Sequence, residues 1–594
     1  MIAARSTFVF LLALCLAAPV LAEPDWVQRS NDITAIVLQV QAKLQPEGAS
    51  FIGIDGYDNE ISQIPLDVNA RTIAAMLDAR AKVAAKLTDE KDPAVRQDIE
   101  ILLASIDEQV EGIRLSEKYE LAYVDLPQMF FNATRSVLDD RVAKERHGAA
   151  LVRLRKYTGL EKAFTPLTHQ AMALMRVSMK NAALRGPFKD DLEKNLANSD
   201  RYITGAEDLY KKFNIAGYEK PFAELKKQVA EYNAFLRAEV MPRATTDFRL
   251  PADLYAYRLK SRGVDMPVEE LISRAKTSFR EIQNEMNALA PLVAKEKGIT
   301  ATDYRDVIRE LKKKQLLGDA ILPHYQARLK NIEKIVREQR MVTLPKREMV
   351  IRLASPAETA AIPAPHVDPP RLIGNTGEMA AFVLPLRIPG EGGKEEIGFD
   401  DFTFDAASWT LTVHEGRPGH ELQFASILEK GVSQARVLYA FNSVNVEGWA
   451  LYAEAEMKPL EPLDGQLIAL QHRLMRAARA FIDPSLHLGR MTRDEAFRVL
   501  EDDVVLSHGM ALQEVERYTF RSPGQAPSYY VGYSRLVEMR TDAERMLGKS
   551  FDRLSYHDFI LAQGLLSPSL LRKAVMEDYI KPRASAAQAA PRRD

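Results

Sequence analysis

The chain has 594 residues, a length that suggests two or three lobes and allows a large core and a deep cleft. Hydrophobic residues make up 46% and charged residues 27%, as in ordinary soluble globular proteins. Since 80 basic residues are balanced by 82 acidic ones, the charge gives no support for nucleic-acid binding.

Residues 1–22 have the pattern of a secretory signal peptide. Arg5 supplies a positive charge, an apolar run covers 8–16, and APVLA at 18–22 supplies small residues. We predict cleavage after Ala22, because the apolar run is short for a membrane-spanning helix. The mature protein is then expected to be periplasmic or secreted, with no stable membrane span.

The only cysteine of the chain, Cys15, lies in this segment and follows Leu14. A lipoprotein site needs a small residue at the preceding position, so we do not expect Cys15 to carry a lipid. Without cysteine, the mature chain cannot form disulfides or offer thiolate ligands. Any metal site must therefore be built from His, Asp and Glu.

The remaining chain is predicted to be mainly α. Residues 23–250 are expected to form an N-terminal helical lobe, because segments such as 94–115 carry apolar residues at three- and four-residue intervals. Residues 251–580 are expected to form the catalytic lobe. The helical pattern at 267–298 ends on a glycine, which is a common helix stop.

The helical pattern of the sequence is interrupted between Gln339 and Phe404. Short β-rich segments at 341–353 and 379–390 predict a small sheet, and the Pro-rich segment 356–374 predicts a loop. The tail at 581–594 is rich in Ala, Pro and Arg, and we predict that it is disordered.

Residues 414–420, HEGRPGH, begin like the H-E-x-x-H helix of zinc hydrolases. Because the histidines are six positions apart, a regular helix would turn the second ring about 240° from the first. Pro418 breaks such a helix, because its ring clashes with the carbonyl of His414, and the flanking glycines relax the backbone. We predict a bulge or break at 416–419, with the helix resuming at His420, so that both rings reach one ion.

A third ligand is expected from the segment 445–456, NVEGWALYAEAE. We predict Glu447, because a carboxylate among apolar side chains is costly to bury unless it binds a cation or a partner; Glu454 is the alternative ligand. Two His and one Glu leave an open position on a single zinc ion, although other divalent metals suit these ligands. Glu415 would act as the general base. The alternatives are that the histidines are core residues and that Glu447 belongs to a salt bridge.

Several separated motifs resemble the bacterial proteins grouped as domain of unknown function 885. These are VHEGRPGHELQ (413–423), VEGWALYAE (446–454), RAARAFIDPSLHLGRMTRDEAF (476–497), EVERYTFRSPGQAPSYYVG (514–532) and SFDRLSYHDFILAQGLLSPSLL (550–571). The resemblance implies a zincin-like catalytic lobe, two helical lobes around a central cleft with the small β segment near the active site, and metal-dependent hydrolysis. It places the paired His and the intervening Glu on His414, Glu415 and His420, and the Glu-Gly-Trp segment on Glu447. Many members have a second His where this chain has Glu421.

Further site residues are expected from the same motifs. His487 and Tyr529 are candidates to stabilise the developing oxyanion, with core packing as the alternative for both. Arg476, Arg479 and Arg517 can pair with a substrate carboxylate, as an exopeptidase would need, with internal ion pairing as the alternative.

These features predict an exported zinc-dependent peptidase that hydrolyses peptide bonds, in short peptides if the helical lobe closes over the cleft. An amidase or esterase acting on a non-peptide molecule would use the same metal chemistry. A third hypothesis is a non-catalytic helical binding protein. The expected partner is therefore a peptide or small-molecule substrate, and the sequence does not indicate the oligomeric state.

Overall fold

The computed structural model describes residues 25–389 and 396–589, so the predicted signal peptide at 1–22 lies outside the described residues. The described chain is mainly helical, as predicted. The helices of its first part are α1 (Asp25–Leu44), α2 (Pro46–Ile52), α3 (Val68–Leu87), α4 (Pro93–Tyr119), α5 (Leu126–Arg135), α6 (Ala149–Tyr157), α7 (Leu167–Ser178), α8 (Lys189–Lys212), α9 (Glu219–Phe235) and α10 (Ala252–Ser261).

The helical pattern continues through the second part of the chain. Its helices are α11 (Val268–Lys297), α12 (Tyr304–Lys312), α13 (Ile321–Glu338), α14 (Pro356–Ala361), α15 (Asp405–Leu411), α16 (His420–Lys430), α17 (Ser443–Met457), α18 (Leu463–His487), α19 (Arg493–Arg498), α20 (His508–Glu516), α21 (Ser528–Leu547), α22 (Arg553–Ala562), α23 (Pro568–Ala574) and α24 (Lys581–Ala589). Helix α11 ends on Gly298 in the left-handed conformation, which confirms the predicted stop. In the described part of the chain, no helix has the length and apolar character needed to cross a membrane.

The predicted small sheet is present. It consists of β1 (Val350–Leu353), β2 (His366–Asp368) and β3 (Ala381–Leu384), with β3 in the centre, parallel to β1 and antiparallel to β2. A separate antiparallel pair is formed by β4 (Arg387–Pro389) and β5 (Glu396–Gly398). Strand β2 contacts the segment Thr412–Gly416, so the sheet lies beside the HEGRPGH motif.

The segment 356–374, predicted as a loop, instead contains α14 and β2. Helix α14 is short, but it is closed at its start by a capping box in which the Ser355 side chain accepts from the Glu358 amide and Glu358 reaches back to the Ser355 amide. This local capping stabilises a helical turn that the many prolines of the segment obscured.

The hydrophobic core crosses the boundary predicted at residue 250. One cluster of buried side chains joins Val37, Val83 and Leu102 of the first helices to Tyr452 of α17 and Leu536 of α21. The N-terminal helices therefore share one hydrophobic cluster with α17 and α21. A division into lobes at 250/251 remains a prediction.

Helix α24 extends from Lys581 to Ala589 in the segment predicted to be disordered, and residues 590–594 lie outside the described residues. Alanine has the highest helix propensity, and Ala584 also packs against the hydrophobic cluster that contains Tyr579. This contact joins the first turns of α24 to the core.

Candidate metal centre

The HEGRPGH motif interrupts its helix as predicted. Helix α15 passes into a π-helical turn at Thr412–Gly416, the backbone becomes extended at Arg417, and α16 begins at His420. The break at 416–419 is therefore confirmed. It brings the imidazole rings of His414 and His420 to a centroid distance of 4.7 Å, which a continuous helix through the motif would not allow.

Gly419 is required by the way the chain returns toward the π-helical turn. A Cβ atom at this position would lie 2.1 Å from the carbonyl oxygen of His414 and 2.3 Å from that of Val413. On the other side of the loop, the Trp449 indole donates a hydrogen bond of 3.0 Å to the Pro418 carbonyl oxygen. Sequence and tertiary contact thus hold the break in one conformation.

Helix α17 carries the predicted third ligand. It begins after Asn442, whose side chain accepts from the Asn445 amide, and it crosses α21 closely. At the crossing, a Cβ on Gly448 would lie 2.6 Å from the Cα of Gly532. The close approach brings Glu447 next to the residues preceding α21, where the Gln525 amide donates to its Oε1 at 3.3 Å.

The three residues predicted as metal ligands lie together. One ligand atom from each of His414, His420 and Glu447 falls within 4.8 Å of the others. Oε2 of Glu447 is 3.7 Å from Nε2 of His414 and 3.3 Å from Nε2 of His420. Two ligand atoms on a tetrahedral zinc ion are separated by about 3.4 Å. The spacing and the chemistry of the donors therefore fit a zinc ion.

The polar atoms of this group also have unused bonding capacity. Oε2 of Glu447 is buried and has no hydrogen-bond partner among the described residues. An unpaired buried carboxylate oxygen is costly, and a cation would relieve that cost. Burial opposes ionisation of Glu447, but the two imidazoles hold its pKa well below the usual value.

Glu454 supports His414 from the side opposite Glu447. Its Oε1 accepts from Nδ1 of His414 at 2.6 Å, and its Oε2 accepts from the Thr410 hydroxyl at 2.7 Å. This bond sets the His414 tautomer and leaves Nε2 free to bind a metal. Burial opposes its ionisation, yet Arg476 and His414 lower the pKa of Glu454 to about 2. The geometry therefore favours Glu447 over Glu454 as a ligand.

Glu415 is positioned next to the proposed ligands. Its side chain is almost completely buried, and its Oε1 lies 4.0 Å from Nε2 of His414. Burial raises the pKa of Glu415 to about 8, and the charge of Glu447 adds to the effect, while His420 and Arg476 oppose it. At this pKa the carboxyl group keeps its proton near neutral pH in the metal-free protein, and a divalent cation bound beside it would favour the ionised form that a general base requires.

Tyr529 and the three predicted arginines surround the same group. The Tyr529 ring lies parallel to the His414 ring at 6.2 Å, and Arg476 and Arg479 lie over its face at 5.7 and 4.4 Å. Nη1 of Arg517 is 3.4 Å from the Tyr529 hydroxyl. The structure therefore places all four side chains at the candidate centre.

His487 is the exception, because both of its ring nitrogens contact backbone groups and neither contacts the three proposed ligands. Nδ1 accepts from the Leu250 amide at 3.3 Å, and Nε2 donates to the Tyr518 carbonyl at 2.9 Å. The ring also stacks on Tyr255 at 4.3 Å. Both nitrogens are occupied by backbone groups, so His487 is a structural residue that joins α18 to the chain before α10.

Glu421 pairs with the loop that carries the break. It forms a buried ion pair with Arg417, whose Nε lies 2.6 Å from Oε2 of Glu421. Arg417 also pairs with Glu333 of α13 at 2.6 Å. Glu421 thus helps to anchor the loop that carries the break.

One supporting side chain, Gln525, was not predicted from the sequence, and Glu454 was predicted only as an alternative ligand. Gln525 and the Glu454 carboxylate contact His414 or Glu447, and only Glu454 had a readable signal. It stands seven residues after Glu447, two helical turns along the same face. Gln525 comes from a turn before α21, where no periodicity predicts the direction of a side chain.

Comparison with known proteins places the chain in a family. The family model described as "Bacterial protein of unknown function (DUF885)" matches residues 46–575, and the chain belongs to this family. No curated protein matches the chain.

Two solved structures share the fold. A "putative lipoprotein" from Colwellia psychrerythraea is 17% identical, with a TM-score of 0.73 over 93% of this chain and 98% of the other. A "putative lipoprotein of unknown function" from Shewanella oneidensis is 19% identical, with a TM-score of 0.68 over 93% of this chain and 100% of the other. At these identities the likeness concerns the fold alone.

Proposed function

We propose that this protein is a zinc-dependent peptidase of the cell envelope or the secreted fraction, with a zincin-like catalytic lobe. The observation that carries the proposal is the convergence of His414, His420 and Glu447, with Glu415 beside them. The three ligands match a catalytic rather than a structural zinc site, because they leave one coordination position open.

The side chains of the chain have distinct roles in this proposal. His414, His420 and Glu447 would hold the ion, which when bound supplies Lewis-acid chemistry for activating water and polarising a carbonyl. Glu415 accepts the proton of the attacking water on its carboxylate and passes it to the leaving amine. Tyr529 is the remaining candidate to donate to the oxyanion, and burial raises the pKa of its hydroxyl, so that the proton stays in place near neutral pH.

We favour a peptidase over an amidase or esterase acting on a non-peptide molecule because of the arginines at the centre. Three guanidinium groups beside a metal site match substrates that carry a carboxylate close to the scissile bond, as peptides do at their C-terminus. Location in the envelope is supported by the signal-like segment at 1–22 and by the lipoprotein descriptions of the two similar structures.

The proposal is tested by combining metal analysis with hydrolysis of a peptide library. Glu415→Gln is expected to retain about one zinc per chain and lose most turnover, while His414→Ala loses both. Glu429→Gln, a carboxylate substitution at the end of α16 near Arg347, serves as the matched control and is expected to change neither.

Two results would contradict the proposal. One is full turnover by Glu415→Gln with zinc bound. The other is the absence of any hydrolysis together with a ligand that binds the parent and Glu415→Gln equally, which would indicate a non-catalytic binding protein. A parallel panel of amides and esters separates the peptidase from the amidase or esterase alternative.

A further inference from the structure

Three buried or partly buried arginines form a positively charged wall beside the candidate metal centre. Arg476 and Arg479 come from α18, and Arg517 comes from the turn after α20. In the described part of the chain, two carboxylates pair with them: Glu454 with Arg476, and Glu514 with Arg479 and Arg517. One guanidinium charge thus remains without a carboxylate of its own.

The hydrogen bonds of the two inner arginines are incomplete. Arg479 forms a two-pronged pair with Glu514, with both N–O distances at 2.6 Å, and this leaves its Nη1 without a partner among the described residues. Nε of Arg476 likewise has no partner there. Both side chains are more than nine-tenths buried. Unpaired buried N–H groups on cations are costly, so they point to a ligand with acceptor atoms.

Arg517 is the member of the wall that solvent can reach. Its side chain is 23% exposed, compared with 6% for Arg476 and 4% for Arg479. Its Nη1 bonds to Oε1 of Gln525 at 3.1 Å, and the Gln525 amide nitrogen donates to Glu447. Arg517 is therefore separated from a proposed metal ligand by one side chain. A ligand group bound to Arg517 would therefore lie close to the proposed metal position.

We infer that this wall binds the free C-terminal carboxylate of a peptide, with Arg517 making the direct contact and Arg479 adding positive charge behind it. The planar guanidinium fork matches the two oxygens of a carboxylate. The inference rests on the proposed function, because the metal group sets where the bond is cut. It narrows the substrate class to short peptides cleaved near their C-terminal end.

The test compares peptide acids with their amides. N-acetyl tripeptides are prepared with free C-terminal carboxylates and as carboxamides, and kcat/KM is measured for the zinc-loaded protein. We expect the acids to be preferred roughly tenfold to a hundredfold, the range of a hydrogen-bonded charge pair. Arg517→Gln should remove most of this preference, because it slows the acids at least tenfold more than the amides, with both rates normalised to the measured zinc content.

Arg473→Gln is the matched control, because Arg473 also lies on α18 and over a tyrosine ring, that of Tyr533, at 5.2 Å. It should keep the preference for acids. An equal rate for acids and amides in the parent, or a preference that survives Arg517→Gln, would overturn the inference while the proposed peptidase stands.

A binding measurement separates this inference from the proposed function. Calorimetry on zinc-loaded Glu415→Gln should give at least tenfold tighter binding of the acids than of the amides. The double variant Glu415→Gln/Arg517→Gln should bind both alike. If no peptide is hydrolysed by the parent, a preference for acids in calorimetry still supports carboxylate recognition, and equal binding refutes it.

Discussion

Replacing Glu454 by glutamine tests whether this carboxylate supports the metal centre without being a ligand. Glutamine has the same shape, so its oxygen can still accept from Nδ1 of His414 while its amide faces the Thr410 hydroxyl. The substitution therefore removes the charge and leaves the packing in place. It also takes from Arg476 the carboxylate that lies 3.6 Å away.

The expected magnitude follows from the 2.6 Å bond between Glu454 and His414. A hydrogen bond to a charged group contributes about 1.5–3 kcal/mol. Because glutamine keeps the weaker neutral bond, the loss should lie near the lower end of that range. This corresponds to about tenfold weaker zinc binding, within the range observed when such supporting partners are removed.

Zinc affinity is measured by competition with a chromophoric chelator, and folding is checked by circular dichroism. Glu456→Gln is the control, because Glu456 lies on the same helix but pairs with Arg540 and Arg553 outside the centre. The reasoning fails if Glu454→Gln binds zinc within twofold of the parent. It also fails if Glu456→Gln weakens zinc equally.

Three other predictions concern the loop at Gly419, the zinc ion and His487. Gly419→Ala should destabilise the fold by about 1–3 kcal/mol or more, as measured by thermal melting, and should reduce zinc retention. Gly416→Ala is the control, because its Cβ would meet Met349 at 3.4 Å, and it should be tolerated in the same measurement. Zinc at about 100 times its dissociation constant should raise the free energy of unfolding by about 2.7 kcal/mol in the parent, and no rise is expected in His414→Ala. His487→Gln should keep turnover within about threefold. Burial lowers the pKa of His487 from 6.5 to about 4, with Arg185 assisting and the Tyr518 carbonyl and Asp247 opposing. The unfolded chain therefore takes up this proton at a higher pH than the folded chain. As the pH falls from about 6.5 to 4, the free energy of unfolding of the parent should fall by up to about 3 kcal/mol through this group. Urea unfolding should show a smaller decrease in His487→Gln.

The break at 416–419 could be predicted because the forces behind it are local. Proline excludes a continuous helix through the motif, and few positions of the break allow the two imidazoles to bind one ion. The small sheet was likewise predictable from β-rich segments bounded by prolines. Helix α14 was not predictable, because its capping box lies inside a Pro-rich segment whose composition favours a loop.

The outcome for His487 has a different cause. Its position in a motif shared with the family suggested chemistry, but its partners are the backbone amide of Leu250, 237 residues away, and the Tyr518 carbonyl. Contacts of this kind leave no periodic trace in a sequence. The same holds for Tyr529 and the arginines, whose presence at the centre depends on how α18 and α21 pack.

Helix α17 explains why the candidate centre is sensitive to single side chains. Glu447 and Glu454 lie on one face, and His414 is held between them, with Nδ1 toward Glu454 and Nε2 toward Glu447. Rotation of this helix would move both carboxylates together. The contact of Gly448 with Gly532 opposes such rotation, because it locks α17 against α21 at backbone distance. A side chain at Gly448 should therefore disturb zinc binding without touching either imidazole, in contrast to substitutions that remove a ligand.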